Sequence, residues 1–260
     1  MEHQTKAILV VSFGTSHTDT REKNIDRIEQ YIQKAFPEYK VYRAWTSKMI
    51  ARKLKNRDGI VIDNVAEAMS RMKQEGIQEV IVQPTHVLSG IENESMIRDV
   101  TENAEGFTSV KTGAPLLTTQ EDYEEMIQVL REEWKEIPNN DVLVFMGHGT
   151  SHEANAVYAL LDARLKESGL ANFFIGTVEA YPSMATLIGE VKKLHPEKVH
   201  LTPFMIVAGD HARNDMAGED ADSWANQFQA AGYEVKCHLK GLGQYPGVRN
   251  MFIRHVREAK

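Results

Sequence analysis

The sequence predicts an α/β protein built from two similar Rossmann-like domains, each with a parallel sheet flanked by helices. Short apolar runs alternate with amphipathic segments along the chain, which is typical of strands covered by helices on both faces. The strand and turn at residues 8–17, ILVVSFGTSH, return at residues 142–152 as VLVFMGHGTSH. A second pair, QPTHVLSGIE at 83–92 and TPFMIVAGDH at 202–211, follows in the same order. The two halves of the chain therefore share one scaffold.

Hydrophobic periodicity locates the elements of this scaffold. Strands are predicted at 7–13, 39–45, 78–84, 107–111, 141–147, 172–178, 197–204 and 233–238. Helices are predicted at 21–36, 64–75, 120–135, 183–194, 222–231 and 246–259. Asn139 and Asn140 follow Pro138 and mark the domain boundary. We expect one domain at 1–138, a second at 139–245, and a C-terminal helix within 246–260 that packs back on the first half.

Composition excludes several classes of protein. The 260 residues are 42% hydrophobic and 26% charged, as in a soluble globular protein. A net charge of −7 argues against a general nucleic-acid binder. The single cysteine, Cys237, excludes an internal disulfide and any four-cysteine cluster within one chain. No apolar stretch approaches the ~20 residues of a membrane span, so we expect a cytoplasmic protein without a membrane partner. The sequence leaves open whether the protein forms a homo-oligomer.

Three side chains capable of binding a metal follow predicted strands of the second half. His148 directly follows the predicted strand 141–147, and Glu179 directly follows the strand 172–178. His211 lies one loop after the strand 197–204. Ligands of such sheets bind beyond the carboxyl ends of the strands. Two imidazoles and one carboxylate suit Co²⁺, Fe²⁺, Ni²⁺ or Zn²⁺. The alternative for each histidine taken alone is that it caps a turn. Asp210, next to His211, would orient that ring or simply be solvated.

The repeat places different chemistry at equivalent positions of the two halves. Phe13 falls opposite His148, and Glu92 falls opposite His211. A duplicated fold with metal-binding side chains in one copy suggests a site in a cleft between the domains.

Other features of the first half suggest a ligand with several negative charges. The turn Gly14-Thr15-Ser16 follows a strand and would bind an anion or simply cap a helix. A basic cluster has no acid before Asp58 and would bind carboxylates or phosphates, or form a solvated helix face; its members are Arg43, Lys48, Arg52, Lys53, Lys55 and Arg57. A planar ligand would need an apolar lining. The candidates are Phe13, Trp45, Met49, Phe204, Met205 and Met216. Each of them could instead be a core residue.

Six segments together resemble one enzyme family, the anaerobic-pathway cobalt chelatases of the CbiK type. They are VVSFGTS at 10–16, TSKMI at 46–50, FMGHG at 145–149, VEAYP at 178–182, VAGDHARNDM at 207–216 and GLG at 241–243. The resemblance covers essentially the whole chain. It implies the class II chelatase fold shared with ferrochelatases, with two α/β domains around a tetrapyrrole cleft. It also implies Co²⁺ insertion into sirohydrochlorin, an early step of anaerobic cobalamin synthesis.

The resemblance assigns roles to individual residues. It implies that His148 and His211 are active-site histidines, that Glu179 is a metal-site glutamate and that Glu92 is a further glutamate of the cleft. From these assignments we expect the first three to hold the metal, a histidine to accept a pyrrole proton, and Glu92 to relay the second proton or position the ring. Sirohydrochlorin carries several carboxylates on a broad apolar ring, and the substrate-binding residues expected from this are Phe13, Gly14, Thr15, Ser16, Lys48, Met49 and Arg52. Co²⁺ enters as the substrate metal, and no organic cofactor is expected.

Three alternatives remain open at this point. Insertion of Fe²⁺, for siroheme, or of Ni²⁺ would use the same ligands. A carrier would bind the tetrapyrrole or the metal without accelerating insertion. A metal-dependent phosphoesterase is disfavoured, because the chain lacks the Asp-rich clusters of a two-metal site.

Overall fold

A computed structural model describes residues 5–260, so the first four residues of the predicted first domain lie outside it. The chain divides into two compact units: one comprises the chain up to Thr118 with Pro246–Lys260, and the other is Thr119–Tyr245. The division precedes the predicted boundary after residue 138, because helix α6 (Gln120–Glu133) contacts the helix Ala156–Glu167 of the second unit. Trp134, which caps this helix, meets Phe145 edge to face and donates a 3.1 Å hydrogen bond to the Tyr245 hydroxyl.

The first unit contains a four-stranded parallel sheet in the order β2-β1-β3-β4. Its strands are β1 (Lys6–Ser12), β2 (Lys40–Trp45), β3 (Glu79–Pro84) and β4 (Ser109–Thr112). Its helices are α1 (Thr18–Lys23), α2 (Ile25–Ala35), α3 (Lys48–Asp58), α4 (Val65–Gln74), α5 (Ile91–Glu102) and α10 (Pro246–Arg257). Helix α10 is the last element of the chain, and it contacts α2 and β3.

The second unit repeats this topology with the order β6-β5-β7-β8, again all parallel. Its strands are β5 (Val142–Gly147), β6 (Phe173–Thr177), β7 (Lys198–Pro203) and β8 (Glu234–Cys237). Besides α6 it contains α7 (Ala156–Glu167), α8 (Met184–Lys192), α9 (Trp224–Ala230), 3₁₀ turns at Glu153–Asn155 and Leu242–Gln244, and a π-helical turn at Ala212–Met216. The same strand order in both units confirms the predicted fold class of two similar α/β domains with parallel sheets.

The central strand of each sheet forms the middle of its core. In β1 the residues from Ala7 to Val11 are fully buried, and in β5 the same holds from Leu143 to Met146. Burial of each large apolar side chain contributes about 1.5–3 kcal/mol. Such strands carry no alternating pattern, because helices cover both faces of the sheet.

Three helices were absent from the sequence prediction, and one predicted helix is divided. Helix α5 buries the polar Asn93 beside Met96, and α7 spreads its apolar residues around most of its circumference, so neither shows a clear apolar stripe. Helix α3 is dominated by basic residues. The predicted helix 21–36 is broken at the buried Asn24, whose side-chain amide donates a 2.7 Å hydrogen bond to the carbonyl of Thr20.

The strand order creates a ligand-binding position in each sheet. After β1 the chain moves to one side for β2 and then to the other for β3, so the loops that follow β1 and β3 diverge; β5 and β7 have the same relationship. Open parallel sheets bind their ligands at such points. No helix within residues 5–260 has the length and apolar composition required to cross a membrane.

Candidate metal centre

Three predicted ligands converge at the carboxyl edge of the second sheet. His148 follows β5 directly, Glu179 lies in the loop after β6, and His211 precedes the π-helical turn after β7. Because β6, β5 and β7 are neighbours, these loops meet. One donor atom from each residue lies within 4.8 Å of the other two, and this is the one such group of His, Cys, Asp or Glu found among residues 5–260.

The donors are close to the spacing that a metal ion requires. His148 Nε2 lies 3.8 Å from Glu179 Oε1, and the two imidazole rings meet edge to face with centroids 4.6 Å apart. A tetrahedral ion with bonds of about 2.1 Å holds its ligands about 3.4 Å apart. The side chains are 44%, 56% and 38% exposed for His148, Glu179 and His211, so an ion and a bulky molecule can both reach them.

Hydrogen bonds fix which nitrogen of each ring is available. His148 Nδ1 lies 2.8 Å from the carbonyl of Gly149, and His211 Nδ1 lies 2.5 Å from Asp215 Oδ2. A carbonyl or carboxylate oxygen only accepts, so each Nδ1 carries the proton and each Nε2 lone pair is left for a metal. The sequence offered Asp210 for this role at His211; the structure shows the contact for Asp215, one helical turn along the chain.

The turn that carries His148 is packed tightly from below. Gly149 has φ +86°, and a Cβ there would lie 2.9 Å from Thr177 Cβ and 3.0 Å from the amide nitrogen of Ala180. Tyr158 is buried under the same turn, and burial raises the pKa of its hydroxyl to about 12, although hydrogen bonds from the His148 and Gly149 amides to its oxygen act in the opposite direction. Packing therefore holds the His148 backbone in one conformation.

The equivalent edge of the first unit carries an apolar side chain instead of a metal ligand. Phe13 follows β1 and is half-exposed, and Gly14 has φ +103° with a Cβ position only 2.6 Å from the Trp45 ring. Thr15 and Ser16 are buried, and Thr15 Oγ1 accepts a 3.3 Å hydrogen bond from the His17 amide. These hydroxyls lie inside the turn, and their predicted contact with substrate stays a prediction.

The basic cluster separates into two groups. Arg43 forms ion pairs with Asp26 and Glu29, and Arg57 pairs with Asp58, so these two arginines have structural partners. The other cations of the cluster lie on α3, where Lys48, Met49 and Arg52 are exposed near its N-terminus.

The remaining predicted residues also have defined positions. Glu92 is exposed in the first turn of α5, where the helix dipole favours a carboxylate. Trp45, Phe204 and Met216 are fully buried, so they are core residues and not part of a ligand lining.

Comparison with known proteins identifies the family of the chain. The family model described as cobalt chelatase (CbiK) matches residues 6–260. The chain belongs to the cobalt chelatase (CbiK) family. A relative in this family, the sirohydrochlorin cobaltochelatase of Salmonella typhimurium, is 43% identical over 98% of this chain and 96% of its own length. The sirohydrochlorin cobaltochelatase CbiKC of Nitratidesulfovibrio vulgaris is 30% identical over 98% of this chain and 90% of its own.

A solved chelatase structure shares the fold of this cobalt chelatase family member. SirB from Bacillus subtilis with Fe³⁺ superposes with a TM-score of 0.63, covering 98% of this chain and 95% of its own. At 15% sequence identity, the likeness concerns the fold alone.

Proposed function

We propose that this chain is a sirohydrochlorin cobaltochelatase, which inserts Co²⁺ into sirohydrochlorin to give cobalt-sirohydrochlorin in the anaerobic cobalamin pathway. The observation that carries the proposal is the convergence of His148, Glu179 and His211 at one sheet edge, with donors within 4.8 Å of one another. Membership of the cobalt chelatase family and 43% identity to a sirohydrochlorin cobaltochelatase support it. Two imidazoles and one carboxylate suit a divalent first-row metal.

The three ligands bind the incoming Co²⁺ and replace part of its water shell. Both imidazoles present Nε2 because Nδ1 is held by the Gly149 carbonyl in one ring and by Asp215 in the other. The half-exposed side chains leave the remaining coordination positions to water and then to the pyrrole nitrogens. Ligation requires neutral imidazole, so Co²⁺ competes with protons for these nitrogens.

Insertion must also remove two protons from the pyrrole nitrogens. When Co²⁺ passes from the histidines to the ring, an Nε2 lone pair becomes free and accepts one proton. His211 is suited to this role, since the Asp215 carboxylate on Nδ1 stabilises the resulting imidazolium. Glu92, an exposed carboxylate in the first unit, is the proposed acceptor of the second proton.

The first unit is proposed to bind the macrocycle. Phe13 and Met49 offer exposed apolar surface, and Lys48 and Arg52 offer cations for the carboxylates. The Ser47 amide donates a 3.2 Å hydrogen bond to the Phe13 carbonyl, which places the turn at Phe13-Gly14-Thr15-Ser16 next to the start of α3. Fe²⁺ and Ni²⁺ remain alternative metals with the same ligands, and a non-catalytic carrier remains the alternative function. Three further expectations remain predictions of the sequence: the cytoplasmic location, the absence of an organic cofactor and self-association.

Anaerobic stopped-flow absorbance of sirohydrochlorin with Co²⁺, Fe²⁺ and Ni²⁺ in turn tests the proposal. We expect fast, enzyme-dependent insertion of Co²⁺, reduced at least about 100-fold in His148→Ala and in His211→Ala, since even indirect disturbance of metal ligands costs 10–100-fold. Glu92→Gln should slow turnover while lowering the unfolding free energy by no more than about 1 kcal/mol, the contribution of a carboxylate in the first turn of a helix.

The control is His195→Asn, which changes an exposed histidine with φ +48° to a residue that tolerates this conformation. It should insert Co²⁺ at the wild-type rate. Near-normal insertion by both His148→Ala and His211→Ala would contradict the assignment of the site. No acceleration with any metal would indicate a carrier or a protein that acts on another ligand.

A further inference from the structure

The geometry points to Asn155 as a positioning residue that sets the spacing of His148 and Glu179 and thereby the affinity for Co²⁺. This inference rests on the proposed function, because it assumes that these two side chains bind the metal. Asn155 touches neither of them. It acts through the two loops that carry them.

A single amide group joins the two loops. The side-chain nitrogen of Asn155 donates a 2.7 Å hydrogen bond to the carbonyl of Tyr181, and its side-chain oxygen accepts a 3.1 Å hydrogen bond from the amide of Thr150. Thr150 lies two residues after His148, and Tyr181 lies two residues after Glu179. The bridge therefore connects equivalent points just beyond each proposed ligand.

Asn155 is itself held in a fixed position. It ends the 3₁₀ turn Glu153–Asn155, where the amide of Ala154 donates to His152 Nδ1 at 3.1 Å and the Asn155 amide donates to the His152 carbonyl at 3.0 Å. Helix α7 starts at the next residue, and its Tyr158 is buried beneath the His148 turn. Because Asn155 is anchored in this way, the bridge holds the two loops at a fixed separation.

The loop that carries Glu179 is held on its inner side by backbone contacts. The amides of Val178 and Glu179 donate to the carbonyls of Gly147 and His148, both at 3.0 Å. Beyond Glu179 the loop turns outward, and the Tyr181 side chain is 62% exposed. Two contacts hold this outer part: Asn155 donates to the Tyr181 carbonyl, and the Thr177 amide donates to the Pro182 carbonyl at 2.7 Å. Loss of the Asn155 contact loosens the segment directly after Glu179 and so widens the range of positions that the Glu179 side chain takes relative to His148.

The chemistry of the bridge requires an amide. One carboxamide supplies both a donor and an acceptor, which the Tyr181 carbonyl and the Thr150 amide need at the same time. Asp at position 155 keeps the acceptor for Thr150 but places a carboxylate against a carbonyl oxygen. Ala keeps neither hydrogen bond.

The chain offers a matched control at the opposite end of the same two strands. Asn172 precedes β6, and its side-chain amide donates a 2.9 Å hydrogen bond to the carbonyl of Asp141, which precedes β5. This amide also joins β5 to β6, but at their amino ends, away from the ligands. Asn172→Ala therefore measures the loss of an amide bridge between these strands without disturbing the metal centre.

The test combines anaerobic calorimetric titration with Co²⁺ and steady-state insertion rates for Asn155→Ala, Asn155→Asp, Asn172→Ala and His148→Ala. Both Asn155 variants should bind Co²⁺ about 10–100-fold more weakly, the range for residues that orient metal ligands. They should raise the KM for Co²⁺ and leave the KM for sirohydrochlorin unchanged. Asn172→Ala should bind Co²⁺ as the wild type does, and His148→Ala should show no site-specific binding.

Equal Co²⁺ affinities in Asn155→Asp, Asn172→Ala and the wild type would overturn the positioning role. If Asn155→Ala fails to fold, Asn155→Asp decides the question, because it keeps the Thr150 half of the bridge. A wild-type Co²⁺ affinity in His148→Ala would instead reject the proposed function, so the two failures are separable.

Discussion

At the scale of single residues, glycines decide whether His148 can occupy its place. Gly147 and Gly149 flank this histidine in the sequence. The structure shows a constraint below it: Gly147 has a Cβ position 2.4 Å from the Tyr158 ring, and Gly149 packs against Thr177 and Ala180. The loop that carries Glu179 therefore lies directly against the turn that carries His148.

Gly149→Ala should consequently disturb both stability and metal binding. Any non-glycine residue at φ +86° costs about 1–2 kcal/mol, and the new methyl group also pushes against Ala180, next to Glu179. The control is Gly169→Ala, with φ +83° and open space around its Cβ. Urea unfolding and Co²⁺ titration should show a similar or smaller loss of stability for Gly169→Ala with unchanged Co²⁺ affinity, and weaker Co²⁺ binding for Gly149→Ala alone. Equal Co²⁺ affinities in the two variants would contradict this.

At the scale of elements, strands were predictable and several helices were not. All eight strands fall within a residue or two of their predicted bounds, because short β-rich runs between turn residues have few alternatives in an α/β chain. Helices α3, α5 and α7 depend on tertiary packing to bury irregular faces. Periodicity along the sequence carries too little of that information to indicate them.

The amino ends of β5 and β7 and the carboxyl end of β8 are joined by a buried polar network, which predicts how stability depends on pH. Asp141, before β5, lies 2.9 Å from His200 in β7, and His200 lies 2.9 Å from His238, after β8. Burial, followed by the nearby positive charges of His200, Lys236 and Lys240, lowers the pKa of His238 from 6.5 to about 4. The Trp134 ring also faces His238.

The folded protein thus binds fewer protons at His238 than the unfolded chain between pH 6.5 and about 4. This contribution to stability is complete above pH 6.5 and is lost as the pH falls through that range. We expect His238→Gln, whose side-chain amide can donate or accept toward His200, to flatten the pH dependence of the unfolding free energy over this interval. Denaturant melts at several pH values measure it, and an unchanged slope in the variant would be inconsistent with the lowered pKa.

At the scale of the whole molecule, the chain leaves the first unit at Thr118 and returns to it at Pro246. The final helix supplies Val248, Met251 and Phe252, all fully buried, to the first unit. Residues adjacent to the second unit in sequence thus complete the core of the first.

Substitutions in the two cores should reveal that the final helix belongs to the first unit. Phe252→Ala and Phe228→Ala each remove a fully buried ring, at a cost of about 3–5 kcal/mol. Hydrogen exchange followed by mass spectrometry should accelerate mainly in β1 and β3 for Phe252→Ala, and mainly in β5 and β7 for Phe228→Ala. The same exchange pattern in both variants would argue against the division of the chain at Pro246.

The sequence by itself determined the duplicated α/β scaffold, the types of the proposed metal ligands and their positions near strand ends, because these features depend on local patterns and on the internal repeat. Only the tertiary structure decided which loops meet. The order β6-β5-β7 brings together His148, Glu179 and His211, and no local pattern encodes strand order. The tertiary structure likewise decided the contacts of Asp215 and Asn155 and the pairing of Arg43 with Asp26. Hydrogen-bond partners are selected by distance in space, whereas the sequence records only distance along the chain.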